Sequence, residues 1–317
     1  MNSDSIREGN AELPLVSIII PTYNRARTIE RAIDSALKQS YPNIEVIVID
    51  DGSTDDTGDV LKKYDRRIRI YMHETNKGVT SAKNSGLDQI RGKWFTILDS
   101  DDEIEQQAIE AMMKVPLFLD STVTAVTCNC LDTTTGEYSG KGLKENQYLD
   151  IKTLMTVCKG EFWGITKTSL LGTDRFNAKV RGLESILWYK INERAKRYYV
   201  HAPLRIYHTE GDDRMMKAKY DFRKEVVLYE NLIHEKEFLN QTRTYQPDKY
   251  FLLCRNGVIA MMASNRKALA LKYYELSKEI ARSSIIDLSY KYKIFSQGLR
   301  KYRAFKSLIK SYLERKN

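Results

Sequence analysis

The first hundred residues alternate between short apolar runs and amphipathic segments, and this alternation constrains the fold more than any other feature. Apolar runs at 15–20, 46–49 and 94–98 read as buried strands, and a shorter run, RIRIYM, precedes the last of them. Between the first two runs, apolar residues recur on one helical face: Ile29, Ala32, Ile33, Ala36 and Leu37. Three strand–helix alternations within about 90 residues predict a mostly parallel α/β sheet flanked by helices.

Polar side chains follow these strands where each strand ends. The residues concerned are Asp50 and Asp51, then Asn76, Lys77 and Gly78, and then Asp99, Asp101 and Asp102. In open α/β sheets, ligands bind at the carboxyl ends of the strands. Helix capping would explain an isolated Asp, but clustered carboxylates repel unless a cation or a metal-bound phosphate lies among them. Acids at two strand ends, beside a loop that carries Lys77, favour a metal–phosphate site.

Composition excludes several classes of protein. Hydrophobic residues make up 42% and charged residues 29% of the 317, as in globular proteins. The longest apolar runs fall far short of the roughly 20 residues of a membrane span. The four Cys residues lack zinc-site spacing and read as free thiols. The polar N-terminal stretch MNSDSIREGNAELP predicts a cytoplasmic location.

The formal net charge of +9 is concentrated at the C-terminal end. Residues 290–317 contain nine Lys and Arg and one acid, Glu314, so nine minus one leaves +8 there. A basic amphipathic helix at 286–317 could contact the inner face of an anionic membrane as a peripheral anchor. The alternative is a helix that packs on preceding helices with a solvated Lys face. No nucleic-acid-binding module accompanies the charge, so no nucleic-acid partner is expected.

Beyond residue 120 the pattern changes. TVTAVTCNCL predicts a further strand, and YYVHAPLRIYH predicts two short strands broken by Pro203. A helix is expected to start near Leu183, and the sequence reads as helical from about residue 218.

Taken in order, the motifs VSIIIPTYN, VIVIDDGSTDDT, NKGVTSAKNSG and LDSDD resemble glycosyltransferase family 2 over residues 15–102. RFNAKVRGLESILWYKI resembles the family segment that carries the acidic catalytic base, and LRIYHTEG resembles its metal-binding His segment. The resemblance covers residues 14–212. It implies a GT-A (Rossmann-like) α/β domain at 13–215. The helical C-terminal region predicted at 216–317 rests on the sequence pattern and lies outside the resemblance.

The resemblance also implies roles for individual residues. Nucleotide-sugar binding is expected of Pro21, Thr22, Tyr23, Asn24, Asp50, Asp51, Asn76, Gly78, Lys83, Asp99 and Ser100. Mn²⁺ or Mg²⁺ would be bound by Asp101 and His208, since hard cations prefer oxygen ligands and transition metals also accept imidazole. The family normally has Arg where this chain has Lys83, and Lys lacks the bidentate geometry of Arg.

Glu184 occupies the position of the catalytic base, four residues before Trp188. The family usually has Asp there, commonly after Glu, whereas this chain has Leu183 and Glu184. The alternative is that Glu184 only caps the following helix. On the acceptor side, Asp102 and Trp163 are candidates; Trp163 would either stack on a sugar ring or pack in the core.

The sequence therefore predicts an inverting, metal-dependent glycosyltransferase. It would move a sugar from a nucleotide sugar, expected to be a UDP-sugar, to a hydroxyl of a glycan or lipid-linked glycan. One alternative is a catalytically inactive nucleotide-sugar-binding protein, which the Leu183–Glu184 pair favours. A nucleotidyltransferase is the other, but PTYNRAR lacks the Gly- and Lys-rich phosphate loop that it would need after the first strand.

Overall fold

A computed structural model describes residues 13–179, 184–208 and 222–283. The chain divides into two compact units. The first unit comprises Met1–Ala178 and Ile191–Asp212, and the second comprises Lys179–Lys190 and Asp213–Asn317. The short segment 179–190 is grouped with the second unit, and the domain boundary near residue 215 stays a prediction.

The first unit is built on a sheet of nine strands, counted over the described residues. They are β1 Val16–Thr22, β2 Ile44–Asp50, β3 Arg69–Met72, β4 Trp94–Ile97, β5 Glu103–Ile104, β6 Ala125–Asp132, β7 Gln147–Leu149, β8 Phe162–Lys167 and β9 Arg197–Tyr207. Their order is β3-β2-β1-β4-β8-β6-β9-β5, and β7 also pairs with β9. All seven residues of the central β1 are buried, as its continuous apolar run predicts.

The α/β class with flanking helices is confirmed, but only half of the sheet is parallel. Strands β3, β2, β1 and β4 pair in parallel, in agreement with the strand–helix alternation of the sequence. From β4 onward the pairing is mixed, because β8 runs antiparallel to both β4 and β6. The sheet is therefore mixed rather than mostly parallel.

The segment YYVHAPLRIYH forms one strand and not the two short ones predicted. Strand β9 continues through Pro203, and its pairing with β6 shifts register between Cys128 and Cys130. This irregularity accommodates the missing proline N–H, as β-bulges do. The continuous strand then brings Arg205 and Ile206 opposite β5. Strand β5 follows the acidic motif, which consists of Asp99, Asp101 and Asp102.

Five helices belong wholly to the first unit: α1 Ile29–Leu37, α2 Thr57–Lys62, α3 Val79–Leu87, α4 Ala108–Lys114 and α5 Ile151–Thr156. A single π-helical turn, Val115–Leu119, follows α4. Ile29, Ala32, Ile33 and Ala36 of α1 are fully buried and pack in the same core as β1 and β2. The amphipathic face predicted from the sequence is thus the face that covers the sheet.

The remaining helices are α6 Ser185–Arg194, α7 Phe222–Leu232, α8 Lys236–Tyr245, α9 Pro247–Ala263 and α10 Lys267–Ser283. The second unit has its own apolar core, centred on the buried Tyr250, Cys254, Met261 and Tyr273. Within the described residues, none of the helices has the length and apolar character required to cross a bilayer. The basic segment predicted at 286–317 lies outside the described residues.

Candidate functional site

The carboxyl ends of β1 and β2 lie side by side. Thr22 and Asp50 are register partners, and the amide of Asp51 donates to the carbonyl of Thr22 at 2.8 Å. Pro21 is tolerated in this central strand because the pairing of β1 with β4 ends at Ile19. The strand ends predicted to bind a ligand are therefore brought together by the parallel ladder.

Side-chain hydrogen bonds join the loops that follow β1 and β2. Asn24 has a positive φ of 52°, its amide donates to Ser53 Oγ at 2.9 Å, and its Oδ1 accepts from the Thr54 amide at 2.8 Å. Tyr23 precedes Asn24 and is 40% exposed. The paired loops thus leave an aromatic ring accessible at the rim, as a base-stacking residue requires.

Asp50 is fully buried and has one carboxylate oxygen without a protein partner. Its Oδ1 accepts from the amide of Ser53 at 3.0 Å and from Ser53 Oγ at 2.5 Å. Its Oδ2, and Oγ1 of the neighbouring Thr22, have no hydrogen-bond partner in the described part of the chain. A buried polar atom left unpaired costs about 1–3 kcal/mol. The two atoms are therefore candidates for ligand contacts, and nucleotide binding by Asp50 and Thr22 stays a prediction.

Asp51 differs from Asp50, because both of its carboxylate oxygens are bound by other residues of the chain. Oδ1 lies 2.6 Å from His73 Nδ1 and accepts from the Lys77 amide at 2.9 Å, while Oδ2 accepts from the Gly78 amide at 2.7 Å. Nε2 of His73 lies 2.9 Å from Ser85 Oγ on α3. Asp51 therefore fixes the β3–α3 loop, where Asn76 is exposed. Whether it also contacts the nucleotide stays a prediction.

Gly52 allows this loop to approach β2. Its φ is +73°, and a Cβ at this position would lie 2.7 Å from the Thr75 carbonyl carbon and 2.9 Å from the Asn76 amide nitrogen. No other residue fits such a position without displacing the backbone. The glycine thus sets the distance between the loops that follow β2 and β3.

The acidic motif after β4 is bound by a buried arginine on β9. Arg205 is 5% exposed, and its Nη2 donates to Asp99 Oδ2 at 2.8 Å. Its Nε donates to Asp102 Oδ2 at 2.8 Å, and Nη2 also binds this oxygen. Nζ of Lys83 lies 3.5 Å from Asp99 Oδ1. Two cations of the chain therefore neutralise two of the three carboxylates.

The two bound carboxylates have opposite pKa shifts. Burial by itself would raise the pKa of Asp99, but Lys83 and Arg205 lower it to about 2. Burial raises the pKa of Asp102 in spite of its contact with Arg205. The pKa of Arg205 is raised, because the two carboxylates outweigh the effect of burial. The guanidinium is thus held charged at the base of the site.

Asp101 has a different environment from its neighbours. Its side chain is 47% exposed, and its Oδ2 lies 3.9 Å from Arg25 Nη2. Its main-chain carbonyl accepts from Arg31 Nη2. Ser100, between Asp99 and Asp101, is buried. Among the described residues, Asp101 is therefore the carboxylate of the motif that has no ion pair shorter than 3.9 Å.

The predicted metal site is incomplete within the described residues. They contain no group of three or more His, Cys, Asp or Glu side chains arranged to hold an ion. Nε2 of His208 lies 2.8 Å from Glu103 Oε1, and its amide donates to Asp102 Oδ1 at 2.9 Å. Mg²⁺ is often held by one or two carboxylates together with substrate phosphates. The exposed Asp101 fits this mode of binding.

The two acceptor candidates are both buried. Trp163 is 5% exposed, belongs to the core of the first unit, and donates from Nε1 to the Ile97 carbonyl at 2.9 Å. Of the two alternatives for Trp163, the structure shows core packing, so we leave it out of the proposed acceptor site. Asp102 is 1% exposed and both of its oxygens are hydrogen-bonded, which favours a structural role in fixing Arg205 and His208.

Glu184 lies in the turn immediately before α6 and is partly buried. It belongs to the second unit, whereas the other candidate residues belong to the first. Its neighbour Leu183 lies outside the described residues. The role of Glu184 as catalytic base stays a prediction.

Arg205 and His73 were not identified from the sequence as site residues. Arg205 lies within the strand segment LRIY, and His73 directly follows β3. Charged residues are rarely buried unless they are paired. A basic residue that becomes buried therefore indicates a carboxylate partner, but the sequence shows neither the burial nor the partner.

Comparison with known proteins identifies the family. The model of the family described as Glycosyl transferase family 2 matches residues 17–170. The GalNAc(5)-diNAcBac-PP-undecaprenol beta-1,3-glucosyltransferase of Campylobacter jejuni is 34% identical over 272 residues, which cover 81% of this chain and 86% of that protein. The chain belongs to glycosyltransferase family 2.

Solved structures agree with this family 2 glycosyltransferase in fold. Staphylococcus aureus TarS 1–349, in complex with UDP-GlcNAc, matches with a TM-score of 0.59 and 18% identity, covering 86% of this chain and 93% of that one. The mannosyltransferase PcManGT from Pyrobaculum calidifontis, in complex with GDP-Man and Mn²⁺, matches with a TM-score of 0.52 and 18% identity, over 94% and 84% of the two chains. At this identity the likeness shows the GT-A fold alone.

Proposed function

We propose that this family 2 glycosyltransferase transfers a sugar from a UDP-sugar to a hydroxyl of a lipid-linked glycan, with inversion at the anomeric carbon. The observation that carries the proposal is the buried, unpaired Oδ2 of Asp50 beside the unpaired Oγ1 of Thr22. A carboxylate oxygen accepts hydrogen bonds only, which suits the N3–H of uracil or a ribose hydroxyl.

A nucleobase contact at this strand end is supported by the surroundings of Asp50. Tyr23 is exposed at the same strand end and can stack on a planar base. TarS was solved with UDP and with UDP-GlcNAc, whereas PcManGT was solved with GDP-Man. The fold therefore accepts either base, and the choice of a UDP-sugar is the part of the proposal that the calorimetry below tests.

An Asp50→Asn variant tests the donor assignment. Asn can keep its carbonyl oxygen on Ser53, but it then presents an NH₂ donor where the ligand also donates. Since hydrogen bonds to charged groups contribute about 1.5–3 kcal/mol, we expect UDP affinity to fall roughly 10- to 100-fold. Calorimetry with UDP and GDP measures this, and Asp56→Asn, at an exposed residue whose side chain makes no capping hydrogen bond, is the control. Tighter binding of GDP than of UDP to the unmodified protein would refute the choice of base.

The diphosphate of the donor would lie beyond the nucleoside, toward the acidic motif. We propose that Asp101, together with the diphosphate oxygens, holds Mn²⁺ or Mg²⁺, with His208 as a further ligand. The ion would offset the negative charge that develops on the leaving diphosphate. Lys83 carries a second positive charge at this site and is 3.5 Å from Asp99, which orients its ammonium group.

We propose Glu184 as the base of the transfer step. Its carboxylate removes the proton of the acceptor hydroxyl while the hydroxyl oxygen forms a bond to the anomeric carbon. The bond from that carbon to the phosphate oxygen breaks, and UDP leaves with the electron pair. Attack on the face opposite the leaving group inverts the anomeric configuration.

The acceptor assignment derives from the Campylobacter jejuni relative, whose name specifies a PP-undecaprenol-linked glycan. A lipid-linked acceptor would place the enzyme at a membrane surface, with cytoplasmic access to the nucleotide sugar. The basic segment 286–317, with its Lys and Arg among apolar residues, would suit peripheral contact with anionic lipid.

A further inference from the structure

The second unit contains a groove that the donor site does not use. It lies between α8, α9 and α10 and has a volume of about 680 Å³. Pockets of roughly 300–1,000 Å³ are typical of sites for single small ligands. The groove is formed by described residues of the second unit only, so it is a feature of that unit by itself.

The walls of the groove are apolar. Leu239 and Tyr250 form its buried part, with 6% and 1% exposure. Leu271 stands at its edge and is 59% exposed, although it lies on a helix whose other face is packed. An exposed Leu beside a buried apolar surface provides contacts for a hydrocarbon chain. Each Å² of apolar surface that such a chain removes from water contributes roughly 25 cal/mol to the free energy of binding.

The rim of the groove is cationic. Lys236, Arg243 and Lys272 line it, against one acid, Glu275. Oε1 of Glu275 lies 2.8 Å from Nζ of Lys278, so its charge is offset by a lysine outside the lining. Three positive charges therefore surround an apolar cleft. Such a site attracts a ligand that is apolar along one part and multiply negative at the other.

We propose that this groove binds the isoprenyl diphosphate end of the lipid-linked acceptor, an inference that rests on the proposed function. The isoprenoid chain contacts Leu239, Tyr250 and Leu271, and the diphosphate pairs with Lys236 and Lys272.

Calorimetry of the full chain with farnesyl diphosphate, a water-soluble isoprenyl diphosphate, tests the assignment. The Lys236→Glu/Lys272→Glu variant should weaken binding at least about tenfold, because charge-assisted bonds are lost. Leu271→Asp should also weaken binding of farnesyl diphosphate, because it places a charge in the apolar wall of the groove. All three side chains are exposed, so the fold is retained. The matched controls are Lys249→Glu and Leu252→Asp, which change exposed residues outside the lining and should bind as the unmodified protein does.

Ligand parts and vesicles separate the alternatives. Inorganic pyrophosphate and farnesol, titrated singly, should each bind more weakly than farnesyl diphosphate. Equal loss of binding in the groove and control variants would overturn the proposal. So would binding to phosphatidylglycerol vesicles that depends on Lys236 and Lys272 while farnesyl diphosphate does not bind.

UDP calorimetry on the same samples distinguishes the inference from the proposed function. Unchanged UDP affinity in the groove variants, together with weakened farnesyl diphosphate binding, supports the groove assignment. Farnesyl diphosphate binding without any UDP binding would contradict the proposed donor and leave the groove as a lipid site. UDP binding without farnesyl diphosphate binding would overturn the groove alone.

Discussion

Replacement of Arg205 by Met should destabilise the protein strongly, because it leaves the buried carboxylate of Asp102 without its cation. The side chains of Arg205 and Asp102 are 7% and 1% exposed. Breaking a buried pair by removing one partner costs about 3–5 kcal/mol. For a unit of this size, each kcal/mol lowers Tm by about 2–4 °C, so we expect a decrease of roughly 6–20 °C. Differential scanning calorimetry measures this decrease.

Two further variants show whether the loss comes from the unpaired charge. Asp102→Asn in the Arg205→Met background removes the buried negative charge and should restore most of the stability, a coupling that a double-mutant cycle measures. Arg197 is the matched control: it is a β9 arginine hydrogen-bonded to Thr127 and Asn192, and burial lowers its pKa to about 10. Arg197→Met should cost at most about 1–3 kcal/mol. Equal losses for Arg205→Met and Arg197→Met, without recovery in the double variant, would refute the reasoning.

Three other predictions concern the acidic motif and the base. Asp101→Asn should lower metal-dependent turnover by roughly 10²-fold or more, and full activity of this variant in EDTA would contradict the assigned metal role. Glu184→Gln should lower transfer roughly 10²–10⁴-fold with unchanged UDP affinity in calorimetry, whereas a helix cap would cost about 1 kcal/mol of stability and spare turnover. Asp99, with a folded pKa of about 2, should stabilise the protein above its unfolded pKa and lose this contribution as the pH falls from about 4 to 2. In the Lys83→Met variant, the free energy of unfolding should fall less steeply with decreasing pH over this range.

The parallel half of the sheet could be predicted from the sequence because its signals are local. Each of β1, β2 and β4 is a short apolar run, and the polar residues after it are adjacent in sequence. Thr22 and Asp50 were expected to lie close together, because the carboxyl ends of parallel strands meet at one edge of a sheet. No contact between distant segments had to be known to place these residues together.

The electrostatics of the acidic motif could not be predicted, because they depend on long-range pairing. Arg205 lies more than 100 positions from Asp99 and Asp102, and it reaches them only because β9 continues through Pro203 and pairs with β5. From the sequence, three carboxylates at one strand end indicated a site that needs an external cation. The chain itself supplies much of that charge, and Asp101 is the carboxylate left most available to a ligand.

The different environments of Asp50 and Asp51 could not be predicted either, because nothing in the sequence distinguishes these two adjacent residues. Strand alternation points them in different directions. One carboxylate remains partly unpaired at the strand end, and the other binds the amides of the β3–α3 loop. Only the register of β1, β2 and that loop distinguishes them.

The anomeric configuration of the first product tests the central claim most directly. Transfer by the proposed mechanism inverts the configuration at the anomeric carbon of the donor sugar. Slow hydrolysis of the donor, in which water replaces the acceptor, reports the same stereochemistry. ¹H NMR should be recorded at early times on a panel of α-linked UDP- and GDP-sugars with Mn²⁺. The account predicts release of the β-anomer from a UDP-sugar. Release of the α-anomer, or turnover of GDP-sugars alone, would contradict it.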